Sequence, residues 1–574
     1  MTDHRSVRAT GERDTRTPVS SAERPRYRVL RGGAPQRRGA PTAPQPRGPR
    51  KPHARHHHEQ GSDVHVMSDS PPAEAIRTAS APTAHGTADA PDPRRWWGLV
   101  VIALAQLMVV LDATIVNIAL PSAQKALGMS DGNRQWVITA YTLAFGGLLL
   151  LGGRIADLVG RKRTFIIGLI GFAVASAVGG AAGSPGMLFA ARALQGVFGA
   201  VLAPSALSLM TTTFTDPRER GKAFGIYGAI AGAGGALGLL LGGILTSYAN
   251  WRWCLYVNIP IAAVAVIGAL MLLHDRPGHR EARLDIPGVI LGCGGLVAVV
   301  YGFSEAESRG WSDGLVVSLL IGGVALLAAF VFWQSKTEHP LLPLRILADR
   351  NRAGCFLTMG LATIGMFGLF LFMTYYFQGI LEYSPVRSGL AFLPMSAMII
   401  LGSTQVSARL LPRTPPRLLM VPGMLLAASG LAVLTRLGVD SAYATHVLPA
   451  ELLLGLGMGL TFMPVFSTAT NGVRPQDAGV TSAMVNTSQQ VGGSLGTALL
   501  NTIATSATST YVGRHLTNPT QKAQVLREGI VHGYTQAIWW GVAAMLIAAV
   551  AAGVLVVARP TGRGGAPAGA AAAH

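Results

Sequence analysis

Charge is what this 574-residue chain has little of. Asp, Glu, Lys and Arg together make up 13% of it, where a soluble chain carries about 25%. The deficit is uneven, because residues 1–95 are polar and rich in Arg and Pro, so the remainder is more apolar still. That balance excludes a soluble globular enzyme and implies a polytopic membrane protein. Acids are scarcer than bases, 28 against 47, for a net charge of +19. A nucleic-acid partner is one reading of such a surplus. However, residues 1–66 alone carry 13 Arg and one Lys against six acids. Most other cations sit in short connections between apolar runs, where membrane topology puts them. No nucleic acid is expected as a partner. Cysteine is limited to Cys254, Cys293 and Cys355, all in apolar stretches without metal-type spacing, which fits small core residues. No Ser-His-Asp set, paired carboxylates or metal-ligand cluster stands out. No G-x-x-x-x-G-K-[ST] loop occurs, so ATP hydrolysis is not expected. No apolar leader precedes the first span, so no signal peptide is expected. The chain therefore reads as a non-enzyme without cofactor or metal.

What the sequence has instead is a series of long apolar runs. From Trp96 onward, stretches able to cross about 30 Å of hydrocarbon are expected at 97–119, 134–153, 164–183, 187–209, 223–246, 253–273, 286–306 and 314–334. Six more follow, at 354–377, 389–411, 417–437, 446–469, 482–506 and 535–558. Each must be a helix, because an isolated strand in lipid leaves its backbone unpaired. Lys and Arg in and immediately beside alternate connections number 20 on one side and 9 on the other. The richer side is predicted to be cytoplasmic, with both termini. Residues 1–95 read as a disordered basic tail. Met67 opens a second plausible start, which makes 1–66 a candidate over-extended translation. Residues 561–574 read as a disordered C-terminal tail, and 507–534 as a polar outer connection.

One stretch departs from simple hydrocarbon: residues 152–163, GGRIADLVGRKR. It leaves an apolar run, places Asp157 among glycines and adds four basic residues before the next run. Gly153 and Gly160 suit a tight turn, and Arg161, Lys162 and Arg163 suit an anionic membrane surface. An acid there can pair with Arg or cap a neighbouring helix N-terminus and so act as a latch. The spacing Gly153-x-x-x-Asp157-x-x-Gly160-Arg161-Lys162 resembles the signature loop between spans 2 and 3 of the major facilitator superfamily. LDATIVNIALP (Leu111–Pro121) and RALQGVFGA (Arg192–Ala200) resemble motifs of its drug:proton antiporters. WRWCLYVNIP (Trp251–Pro260) and SPVRSGLAFLP (Ser384–Pro394) resemble the fourteen-span EmrB/QacA-type multidrug efflux subfamily. The span-5 motif of those antiporters resembles Gly234, Gly238, Gly242 and Gly243, with Leu239 where a proline is expected. The glycines still allow close helix packing, but the proline kink is missing.

The resemblance implies an all-α membrane fold of about 14 helices in two six-helix halves, 96–273 and 351–560. Two further helices with their linkers occupy 274–350. It also implies a monomer that exports amphipathic or cationic drugs across a bacterial cytoplasmic membrane by alternating access, with the proton gradient as energy source. Small-molecule substrates, protons and the lipid bilayer are then its partners. A uniporter, an importer or a non-transporting receptor of the same fold is the alternative. Ionisable groups inside the membrane mark function, which singles out Asp112, Arg192 and Glu451 for proton coupling. Asp112 is the expected carrier, with Asn117 as a possible structural partner. Asn117, Tyr141, Gln195, Tyr375, Tyr376, Gln378 and Gln489 are pocket candidates, although aromatics near span ends also fit an interface belt. Asn486, Gln489 and Gln490 are expected to hydrogen-bond across helices.

Overall fold

A computed structural model describes residues 94–129, 136–274, 284–516 and 521–560. The expectations for the N-terminal tail, up to residue 93, and for residues 561–574 lie outside these. Among the described residues fourteen long helices follow one another: α1 (Arg95–Leu127), α2 (Trp136–Val159), α3 (Arg161–Gly180), α4 (Pro185–Thr213) and α5 (Pro217–Tyr248). Next come α6 (Trp253–Leu272), α7 (Ile286–Arg309) and α8 (Gly314–Gln334). The series ends with α9 (Arg350–Ile380), α10 (Val386–Leu410), α11 (Arg417–Leu434), α12 (Tyr443–Ala469), α13 (Ala478–His515) and α14 (Lys522–Leu555). All but α13 are long and apolar enough to cross a membrane by length and composition. α13 has the length, at 38 residues, but spreads Thr, Ser, Asn and Gln along it.

Local sequence starts these helices where expected. Ser184, Asp216, Asp313 and Asp349 each accept a hydrogen bond from a backbone N–H of the helix they precede, satisfying an orphan donor of the first turn. The helices overrun the apolar runs: α1 continues through Pro121 to Leu127. The polar connection expected at 507–534 is largely helical, because α13 reaches His515 and α14 begins at Lys522.

The two halves repeat one packing scheme at an offset of eight helices. α1 packs on α5 and α6 as α9 does on α13 and α14, and α4 packs on α2 and α3 as α12 does on α10 and α11. Across the halves, α2 meets α13 and α10 meets α5. The added hairpin α7–α8 lies against α2 and α13 through α7, and α8 leaves most of its apolar surface exposed. In the N-terminal half the α1–α5 seam is a glycine stripe. A Cβ at Gly234, Gly238 or Gly242 would fall 2.8 Å from Val110, 1.9 Å from Thr114 or 3.0 Å from Ile115, so these helices touch almost backbone to backbone. α5 runs straight through Leu239 with no proline inside it.

Candidate functional site

Among the described residues, the ionisable groups singled out by the sequence lie in three places where helices meet. The first is sealed inside the N-terminal half. Asp112 of α1 is wholly buried. Its carboxylate accepts from Arg192 Nη1 of α4 at 2.6 Å, from Gln195 Nε2 at 3.0 Å and from Asn258 Nδ2 of α6 at 2.8 Å. Gln195 and Asn258 also donate to Ser176 Oγ of α3, at 2.7 and 3.3 Å. Arg192 Nε donates to the Val137 carbonyl of α2 at 3.0 Å, and its guanidinium lies 4.3 Å over the Tyr141 ring. Five helices thus share one ion pair with its hydrogen bonds made, the condition under which a buried pair is tolerated.

This cluster redistributes the sequence expectations. Tyr141 and Gln195, expected in a substrate pocket, are second partners of Arg192. Asn117 is not the partner of Asp112: five residues along a helix of 3.6 per turn is about 140° around the axis, and Asn117 is exposed. Asn258 and Ser176 went unassigned from sequence. Their signal was a polar residue inside an apolar span, and Asn258 lies within the Trp251–Pro260 motif itself.

The second cluster joins the halves at one end of the bundle. The stretch 152–163 is not a loop. α2 runs to Val159 and α3 starts at Arg161, and Gly160 alone makes the turn with φ +109°, a region closed to residues with a Cβ. Asp157 is therefore helical and buried. Its carboxylate accepts from Gly479 N at 3.0 Å and Val480 N at 3.3 Å, the first turn of α13 in the other half. Arg161 donates to Asp157 at 3.3 Å and also to the Pro475 carbonyl. Gly153 serves contact rather than turning, since a Cβ there would lie 2.6 Å from the Gly479 carbonyl oxygen. Lys162 donates to the Leu270 and Leu273 carbonyls at the end of α6. Asp477, in the N-cap position of α13, makes no cap and instead accepts from Arg345 at 2.6 Å. A carboxylate from one half thus caps a helix of the other.

The third cluster sits near the far end, in the C-terminal half. Glu451 is wholly buried. Its Oε2 lies 3.2 Å from the Tyr443 hydroxyl, which is 2.8 Å from the Ala391 carbonyl oxygen. Tyr376, a pocket candidate, is buried with its hydroxyl on the Gly438 carbonyl at 2.8 Å. Tyr375 is exposed, and Gln378 and Gln489 are half-buried. Asn486 donates within its own helix, to the Ser482 carbonyl at 3.0 Å, not across helices as expected.

Length, composition and these crossed halves define a multi-pass membrane transporter fold. Residues 102–497 match the Major Facilitator Superfamily, and the chain belongs to that family. It is 58% identical over 483 residues to the puromycin resistance protein pur8 of Streptomyces alboniger, covering 84% of this chain and 95% of that one. It is 39% identical over 415 residues to the cephamycin export protein CmcT of Amycolatopsis lactamdurans, covering 72% and 85%. Among solved structures, the proton:xylose symporter XylE superposes with a TM-score of 0.54 at 13% identity, over 80% of this chain and 96% of that chain. That last likeness concerns the fold alone.

Proposed function

We propose that the protein exports an amphipathic or cationic antibiotic from the bacterial cytoplasm in exchange for protons. The relative that supports this most is the puromycin resistance protein, matched along 95% of its length. The Lys and Arg bias of the connections puts the latch end in the cytoplasm. The conformation described then has its cytoplasmic side closed by Asp157 on α13. In this reading Asp112 and Arg192 couple protons to movement. A proton reaching Asp112 discharges the pair, and Arg192 is left as an uncompensated buried cation. Relief requires α1, α3, α4 and α6 to repack around it, which ties proton binding to the closing and opening of the halves. The protein works as a monomer, with the two halves rocking about a site at mid-depth.

The test is expression in an antibiotic-sensitive bacterium lacking its own pumps, followed by uptake into inverted membrane vesicles. Resistance to puromycin or another cationic antibiotic is expected, together with uptake that stops when the proton gradient is collapsed. Uptake that survives collapse would replace antiport with uniport.

A further inference from the structure

Glu451 shows a hydrogen-bond imbalance that assigns its charge state. A tyrosine hydroxyl has one hydrogen, and a backbone carbonyl can only accept. The Tyr443 hydroxyl stands 2.8 Å from the Ala391 carbonyl oxygen and 3.2 Å from Glu451 Oε2. Its hydrogen therefore goes to the shorter contact, which has no other way to be made. The Glu451 contact then has a hydrogen only if the carboxyl supplies it. Glu451 Oε1 has no partner among the described residues, and no Lys, Arg or His pairs with Glu451 among them. An ionised carboxylate in that position would be buried without compensation, which is prohibitively costly.

The ionisable groups around it do not alter this. On its own segment, His446 is half-buried and its Nδ1 lies 2.8 Å from the Thr445 hydroxyl. From the turn before α10, Tyr383 stacks on Phe377, and the exposed Arg387 lies 3.9 Å over the Tyr383 ring. From α9, Tyr376 is spent on Gly438. Asp440, on the connection before α12, is exposed, as is Arg436 beyond α11. On α5, Tyr227 is committed to Gln106 of α1 and Tyr248 is exposed.

We propose that Glu451 is protonated in this conformation and is a proton site of the C-terminal half, its ionisation tied to the opening of the far end. The proposal rests on the export reading for its role in transport. Its partner Tyr443 belongs to an aromatic cluster. Phe377 packs against Phe392, Tyr383 and Tyr443 at 5.2, 5.9 and 6.1 Å between ring centroids. Two π-helical turns, Tyr376–Ile380 and Tyr443–Val447, bracket that cluster, and such turns recur at functional sites. Glu382, in the connection between α9 and α10, holds φ +54°, a strained value for a residue other than glycine. When the cluster parts, Glu451 gives its proton to water at that end and becomes a carboxylate. Tyr443 then turns its single hydrogen from the Ala391 carbonyl to the carboxylate, and the α10–α12 tie is released. Reprotonation from the same water restores the tie and closes the end.

Infrared difference spectroscopy on the purified full chain, titrated from acid to alkaline pH, tests the charge state. The wild type is expected to show a protonated-carboxyl C=O band that Glu451→Gln removes and Asp112→Asn leaves. A spectrum unchanged by Glu451→Gln would overturn the assignment. Tyr443→Phe keeps the ring and removes the hydroxyl, so it should move the pH at which the band titrates; an unmoved titration would count equally against it. In proteoliposomes, Glu451→Gln should remove the dependence of transport rate on the pH at the far end, with Glu451→Asp recovering part of that dependence. Wild-type pH dependence in Glu451→Gln would remove the proton-site role. If wild-type transport ignores the pH gradient altogether, the proton-exchange part of the export reading fails while the band still reports on Glu451.

Discussion

The two halves repeat the same helix contacts but hold their buried carboxyl groups in opposite ways. The N-terminal half buries Asp112 beside Arg192 with every carboxylate contact supplied by a donor. The C-terminal half buries Glu451 with a tyrosine and a bare oxygen. The same contrast appears at the latch end. α5 is capped by Asp216, which immediately precedes it, whereas α13, its counterpart eight helices on, is capped by Asp157 from the other half. A shared packing scheme therefore does not fix the electrostatics. In the N-terminal half the Asp112 carboxylate is satisfied by that half's own helices, whereas α13 of the C-terminal half takes its cap from the other half.

The most severe test of that contrast is Arg192→Ala, which strands Asp112. Loss of one partner of a buried pair costs about 3–5 kcal/mol, so a large fall in thermal stability in detergent and loss of resistance are expected. Asp112→Asn should abolish proton-driven efflux while the protein still reaches the membrane; near-normal efflux would take Asp112 out of the coupling. The double change Asp112→Asn with Arg192→Gln should recover part of the stability but none of the transport, because neighbouring sites do not add.

An intermediate effect is expected where the caps differ. Asp216→Ala removes a cap within one half and should cost about 1 kcal/mol of stability with transport largely kept. Asp157→Ala removes the cap between halves and should lower turnover more than it alters substrate affinity, read as a kcat loss at near-constant KM in vesicles. Equal effects of the two would mean that the latch is a cap and nothing more. The smallest effect belongs to Arg345→Ala. Its side chain is half exposed on Asp477, where an ion pair contributes about 0–1 kcal/mol, so a stability shift near the limit of measurement is expected.

The spans were readable because hydrocarbon demands apolar length, and even the polar α13 stands out once its neighbours are placed. Asp157 was readable as a capping acid, since few other roles suit a carboxylate among arginines. Its position was misread as a loop, because Gly160 makes the whole turn alone. Partners were far less legible. Asn258 lies 146 residues from Asp112, and no periodicity within either span links them. The burial of Glu451 depends on how α10 and the start of α12 fold over it, and a carboxylate near the end of an apolar run reads equally well as interfacial.

The unbroken α5 has one more consequence. At 32 residues and a rise of 1.5 Å each, it is a rod about 48 Å long, without the proline at which such rods bend. Glycines fasten it to α1, while its far flank meets α10 where a Cβ at Gly389 would lie 2.7 Å from Leu240 Cα. Held on both flanks, α5 ties the packing of α1 in its own half to that of α10 in the other, so a shift of either half is felt along this one helix.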